Sequence, residues 1–212
     1  VGKSFLTAQF IKEKNGVYCL CTKGNEKEQL EQLSEKLGNH FKDNGLKTRP
    51  FTKWGDFFSY IAEKSKKERI AIEFDEFPYL VTANPAIPSI FQKYWDEELS
   101  QTNAYMILCG SSIGMMEREV LAYKSPLYGR RTGQWKLTQL PFKNVMEFFK
   151  ESDEMEKIIE TYSFTGGMPF YLVSLDLKKS AVENILLNIA KKGKPLLEEG
   201  ELLVKEELSE PT

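Results

Sequence analysis

The sequence predicts an α/β fold: a parallel sheet with helices on both faces, followed by a small, purely helical region. Three observations carry this expectation. Short apolar strands alternate with amphipathic helices as far as Pro141, the pattern of crossover-connected parallel strands. One strand, in the run from Arg69 to Leu80, ends on the adjacent carboxylates Asp75 and Glu76, where open α/β sheets place ligands. From Phe142 onward the strand signals cease and only helical spacing remains.

Val1, Gly2, Lys3 and Ser4 run straight into Phe5, Leu6, Phe10 and Ile11 at helical spacing. Gly-Lys-Ser opening a helix is the rear half of the phosphate-binding loop G-x-x-x-x-G-K-[ST]. Its front half and the strand before it do not appear in these 212 residues. In such a loop Lys3 reaches the β and γ phosphates, the Ser4 hydroxyl ligates magnesium, and the first-turn amides add a positive dipole end. The plain alternative is an ordinary exposed helix start. Gly16 is expected to end the helix and Val17–Cys21 to form a strand. Leu30, Leu33, Leu37 and Phe41 mark the next helix, and the mixed charges of Lys23–Lys36 suit a solvated face. Trp54, Phe57, Phe58 and Ile61 give another helix, whose aromatics suit a core better than a base-stacking platform.

Ile70, Ile72 and Phe74 alternate with Ala71 and Glu73, so this run is a strand, which Pro78 keeps from continuing past the sheet. Acids at its end have two natural tasks, holding a metal ion and orienting a water. A loop with Pro85 and Pro88 precedes a helix through Ile90, Phe91, Tyr94, Trp95 and Leu99. Ala104–Ser112 is a nearly continuous apolar run, as in a strand buried on both faces, and ends in Gly110, Ser111 and Ser112. One of these hydroxyls is suited to sensing the γ phosphate or positioning water, the other to capping the helix expected over Gly114–Leu121. The sequence does not assign which. Arg130 and Arg131 lie on a turn before an expected last strand, Gln134–Leu140. Guanidinium groups near a phosphate site stabilise transition-state charge; standing alone, the pair reads as a surface salt bridge. Helices are expected at Phe142–Phe149, Met155–Tyr162, Pro169–Leu177 and Val182–Ile189. Gly166 and Gly167 allow a tight turn, and Pro169 takes a first helical position. From Lys191 the tail reads as a linker.

Composition sets the limits. The chain is 41% hydrophobic and 28% charged, an ordinary globular balance, and its net charge of −2 does not mark a nucleic-acid binder. No apolar run approaches the roughly 20 residues that span a bilayer. Three cysteines make neither a disulfide framework nor, with His40 as the single histidine, a metal cluster, so buried thiols in a reducing, cytoplasmic setting are expected. His40 sits in a polar stretch after a helix, a place that does not suit Ser-His-Asp chemistry.

Taken together, Val1–Ser4, Ile72–Leu80, Leu108–Met116 and Pro126–Gly133 resemble, in order, the archaeal-type ATPase family, an AAA+/STAND-class branch of the P-loop ATPases. Thr165–Leu172 is similar to the Gly-x-Pro lid motif of that class. The resemblance implies a P-loop NTPase fold of ASCE/AAA+ type, lacking its first strand and followed by a helical lid. It implies an ATPase core over 1–141, a lid over 142–192 and a linker over 193–212. It implies ATP and Mg²⁺ as cofactors, with Gly2, Lys3 and Ser4 closing the Walker A loop. Asp75 would hold magnesium through water and Glu76 would polarise the attacking water, making 72–80 a Walker B segment. Ser111 or Ser112 stands at sensor 1, where a polar amide is commoner. Arg130 or Arg131 would be an arginine finger, in cis or across a subunit interface, and Pro169 would lie against the adenine. A homo-oligomer and a C-terminal winged-helix or nuclease-like domain in a longer parent are implied too. The expected function is Mg-dependent ATP hydrolysis by a switch or motor; the alternative is a non-hydrolysing nucleotide-binding module for a protein or DNA-related partner.

Overall fold

The computed structural model describes residues 2–150, 154–188, 190 and 191. The chain divides into two compact units, one spanning Lys3–Gln134 and the other running from Trp135 onward together with Gly2. The first is an α/β unit. It runs α1 (Lys3–Lys12), β1 (Gly16–Leu20), α2 (Glu26–His40), α3 (Asn44–Thr48), α4 (Trp54–Ser65), β2 (Ile70–Asp75), α5 (Pro78–Ala83), α6 (Ile87–Glu97), β3 (Ala104–Leu108) and α7 (Ile113–Met116), with a π-helical turn at Glu117–Leu121. The three strands form one parallel sheet in the order β1-β2-β3, with Val17 opposite Ile72 and Ile72 opposite Met106.

Strand β2 is central and buried at every residue. Ile70, Ile72 and Phe74 face the main core, where Phe74 meets Phe57 at 5.8 Å and Phe91 at 5.2 Å between ring centres. Trp54, Phe58 and Phe77 complete this aromatic layer, supplied by α4, α6 and the turn after β2. Each fully buried side chain of this size contributes about 1.5–3 kcal/mol. Helix α2 closes the layer and starts on a capping box: Asn25 Oδ1 accepts from Glu28 N–H at 3.0 Å, and the Glu28 carboxylate accepts from Asn25 N–H at 3.3 Å. Helix α1 lies on the opposite face, so helices cover both sides of the sheet. Of its apolar residues only Ile11 is buried; Phe5 is 71% and Leu6 54% exposed.

The second unit is helical. It contains α8 (Phe142–Val145), a 3₁₀ turn at Met146–Phe148, α9 (Met155–Thr165), α10 (Pro169–Ser174) and α11 (Ala181–Asn188), packed on Val145, Ile158, Leu172 and Ala181. Gly167 has φ 75°, and a Cβ there would run into the Leu140 carbonyl oxygen, so only glycine lets the chain pass this close. The contact is closed by the Leu140 N–H donating to Gly167 O at 2.8 Å.

Several expectations are corrected. Residues 134–140 belong to no ladder among the described residues; their apolar alternation is that of a strand, but a strand exists only against a partner. Helix α1 ends at Lys12, and Gly16 starts β1 instead of closing the helix. The turn after β2 becomes helix α5 because Pro78 sits at the first helical position, which tolerates the missing N–H. Helix α10 stops at Ser174, and the helix expected at Phe142–Phe149 breaks into α8 and the 3₁₀ turn. Residue 189 and the tail from 192 lie outside the described residues. Among the described residues no helix is long and apolar enough to cross a membrane.

Candidate functional site

Strand alternation sends Ala71, Glu73 and Asp75 to the face of the sheet that carries α1, away from the aromatic core. Asp75 is 1% exposed, and both of its oxygens are held. Tyr18, on the neighbouring strand β1, donates its hydroxyl proton to Oδ2 at 2.7 Å, and the Glu76 N–H donates to Oδ1 at 3.1 Å. The Ser4 side chain lies near the same Tyr18 hydroxyl. Burial, then the hydrogen bond and charge of Asp75, raise the Tyr18 phenol above its ordinary range, while Ser4 acts in the opposite sense. This hydroxyl thus ties β1 to the end of β2, beside the start of α1.

Glu76 is the first residue beyond the strand, with φ 57°. The left-handed region costs a side-chain-bearing residue about 1–2 kcal/mol, so the surroundings must hold it there. The Tyr79 N–H donates to its carbonyl at 2.9 Å, opening α5. Its carboxylate accepts twice from Ser111, from the backbone N–H at 3.1 Å and from the hydroxyl at 2.9 Å. Ser112 does something else: its Oγ accepts from the Met115 N–H at 3.2 Å and caps α7. The two serines that the sequence left unassigned therefore separate, Ser111 facing Glu76 and Ser112 starting a helix.

Glu73 is fully buried, and no donor reaches either carboxylate oxygen in hydrogen-bonding geometry. Thr7 and Cys109 come nearest; the Thr7 hydroxyl gives its proton to the Lys3 carbonyl at 2.9 Å. Burial raises the Glu73 carboxyl above the usual range, and the charge of Asp75 adds to this. Donor atoms of Glu73, Asp75 and Cys109 lie within 4.8 Å of one another. Burial pushes the Cys109 thiol up to about 12, opposed by the nearby charge of Lys3. It therefore stays protonated and is a poor metal ligand.

Arg130 and Arg131 differ sharply. Arg130 forms a forked pair with Asp96 of α6, Nε donating to Oδ1 at 2.9 Å and Nη2 to Oδ2 at 2.7 Å. Its Nη1 donates to the carbonyls of Pro126 and Tyr128. The pair holds the Asp96 carboxyl below its ordinary range. The Arg131 guanidinium instead stacks over the Tyr128 ring, 5.4 Å from its centre. Gly2 has φ 69°, a left-handed turn suited to a loop approaching a helix start. Pro169 is the first residue of α10, with Met168 before it as N-cap.

Lys3, Ser4, Asp75, Glu76 and Ser111 thus gather where α1 begins and β2 and β3 end. A family of ATPase domains found predominantly in Archaea matches residues 1–175. The chain belongs to this family. The uncharacterized protein MJECL04 of Methanocaldococcus jannaschii is 33% identical across the whole chain, which spans 45% of that protein's length. A second uncharacterized protein of the same organism, MJ0424, is 46% identical over 57 residues, covering 27% of this chain and 55% of its own. Among solved structures, the Walker-type ATPase PABY2304 of Pyrococcus abyssi superposes with a TM-score of 0.66 at 21% identity, over 99% of this chain and 67% of that one. That likeness shows the fold, that of a P-loop NTPase. Membership of this family supports an ATPase-like function.

Sequence reasoning missed Tyr18, Glu73 and Cys109 as members of this cluster. Tyr18 has no motif. Its signal is the register, which sets it opposite Glu73 on the face that Asp75 shares.

Proposed function

We propose that the chain is the ATP-binding and ATP-hydrolysing core of a molecular switch or motor of AAA+/STAND type. The observation that carries this reading is the Tyr18 hydroxyl bonded to Asp75 with the Ser4 side chain near it, because the two expected cation-binding residues then lie close together at the carboxyl edge of the sheet. The donors there are a hydroxyl and a carboxylate, hard oxygens that fit Mg²⁺. When bound, Mg²⁺ neutralises charge on the β and γ phosphates. Lys3 binds the same phosphates from the first turn of α1. Glu76, past the end of β2, takes up the proton of the water that attacks the γ phosphate in line. Arg131 is the better finger of the two arginines, since Arg130 is committed to Asp96. Self-assembly and an attached winged-helix or nuclease-like domain are part of this proposal.

A second reading has its own support. The Glu76 carboxylate accepts both Ser111 donors, and a carboxylate kept there during the nucleotide cycle would leave a module that binds ATP without turning it over. The test is ATP binding and phosphate release, with and without Mg²⁺, by the product of the complete reading frame beside the 212-residue chain. Mg-dependent turnover by the former supports hydrolysis, and binding without turnover supports the switch module. Absence of binding removes both.

A further inference from the structure

We propose that Tyr18 is a positioning residue for the cation of this site, its hydroxyl holding the Asp75 carboxylate in a fixed orientation. The inference rests on the ATPase reading above. A carboxylate that holds a cation has to keep one orientation toward it. Tyr18 gives its hydroxyl proton to Asp75 Oδ2 at 2.7 Å. The Glu76 N–H fixes the other Asp75 oxygen at 3.1 Å, so the carboxylate plane has a single orientation.

Tyr18 is itself held. It lies in β1, opposite Glu73. Lys36 of α2 reaches around this strand, its Nζ donating to the Tyr18 carbonyl at 3.0 Å and lying 5.5 Å from the ring centre. A phenylalanine would keep the ring and these contacts and lose only the hydroxyl. Without it, Asp75 loses one of its two restraints. Groups that orient metal ligands in this way are typically worth about 10–100-fold in metal affinity or activity.

The test uses the product of the complete reading frame, Mn²⁺ as the probe and a fluorescent ATP analogue. Nucleotide affinity is measured in EDTA and in Mn²⁺, and bound Mn²⁺ is counted by electron paramagnetic resonance. For Tyr18→Phe the proposal expects unchanged affinity in EDTA and about tenfold or greater loss of the Mn²⁺-dependent gain. In an Asp75→Asn background the same change should have little further effect, because the two residues act on one bond. Wild-type Mn²⁺ dependence in Tyr18→Phe overturns the role of Tyr18 alone. Equal losses with and without Mn²⁺, or loss of folded protein, make Tyr18 structural and also overturn it. A wild-type protein without metal-dependent nucleotide affinity removes the ATPase reading itself, which is a separate outcome.

Discussion

The two faces of strand β2 are built from alternate residues of one six-residue segment, yet they are opposite in chemistry. Ile70, Ile72 and Phe74, whose side chains carry no polar group, enter a layer of Trp54, Phe57, Phe58, Phe77 and Phe91. Ala71, Glu73 and Asp75 face Tyr18, Thr7 and Cys109, and there a carboxylate is buried without a donor. The first face supplies stability. The second gives some of it up to hold charged groups in a fixed arrangement at the end of the sheet. The lesson is that one central strand serves as both keel and site because its two-residue period separates the tasks.

The largest effect should come from breaking the apolar face. Phe74→Ala should cost about 3–5 kcal/mol of unfolding free energy, since the aromatic layer cannot close around the space. Urea denaturation measures it, and a loss below about 1 kcal/mol would mean that the layer is looser than its ring contacts indicate. The polar face should respond with the opposite sign. Glu73→Gln removes a buried ionisable group that has no partner, and should gain stability relative to wild type as pH rises, by about 1–3 kcal/mol once the wild-type carboxyl ionises. The pH dependence follows from the raised Glu73 pKa. The folded state keeps this proton to higher pH than the unfolded chain, so stability falls as pH rises from the ordinary carboxylate range to the raised value, then levels. Thermal unfolding between pH 4 and pH 8, roughly the span around such a carboxyl, should show this decline in wild type and a flatter profile in the variant.

The serines sharpen the comparison at smaller scale. Ser112→Ala should cost about 1 kcal/mol of stability through the lost cap and leave turnover nearly intact. Ser111→Ala should do the reverse, changing turnover through Glu76 with little change in stability. If both variants lose activity alike, the division of labour between the serines is wrong. The smallest effect concerns His40, at the end of α2, where Asn15 Oδ1 lies 2.7 Å from Nε2. Burial lowers its pKa below the ordinary value, opposed by Glu68. Its share of stability is therefore full above that value and declines as pH falls through it. As the single histidine it gives one titrating imidazole signal by NMR, and a midpoint above about 6.5 would contradict the geometry.

Much of this was legible in the sequence, for identifiable reasons. Alternation at Ile70, Ile72 and Phe74 and helical spacing at Trp54, Phe57, Phe58 and Ile61 report local periods, which packing then respected. The Gly-Lys-Ser start and the acid pair at Asp75 and Glu76 are short motifs whose chemistry does not depend on distant residues. What escaped depends on distance. The segment 134–140 has a strand's alternation, but pairing is a property of two segments. Tyr18 became a site residue only through its register with β2. Arg130 and Arg131 are equivalent in sequence, and Asp96, 34 residues away, separates them. Helix α5 was hidden because Pro78 ends a strand and begins a helix equally well.

The most direct test of the proposed chemistry is Glu76→Gln in the product of the complete reading frame, comparing ATP affinity with phosphate release. The amide keeps the shape of the carboxylate and its ability to accept from Ser111, but cannot take a proton from water. Unchanged ATP affinity with turnover reduced about 10²–10⁴-fold is the predicted result. Turnover equal to wild type would contradict it and remove Glu76 from the mechanism.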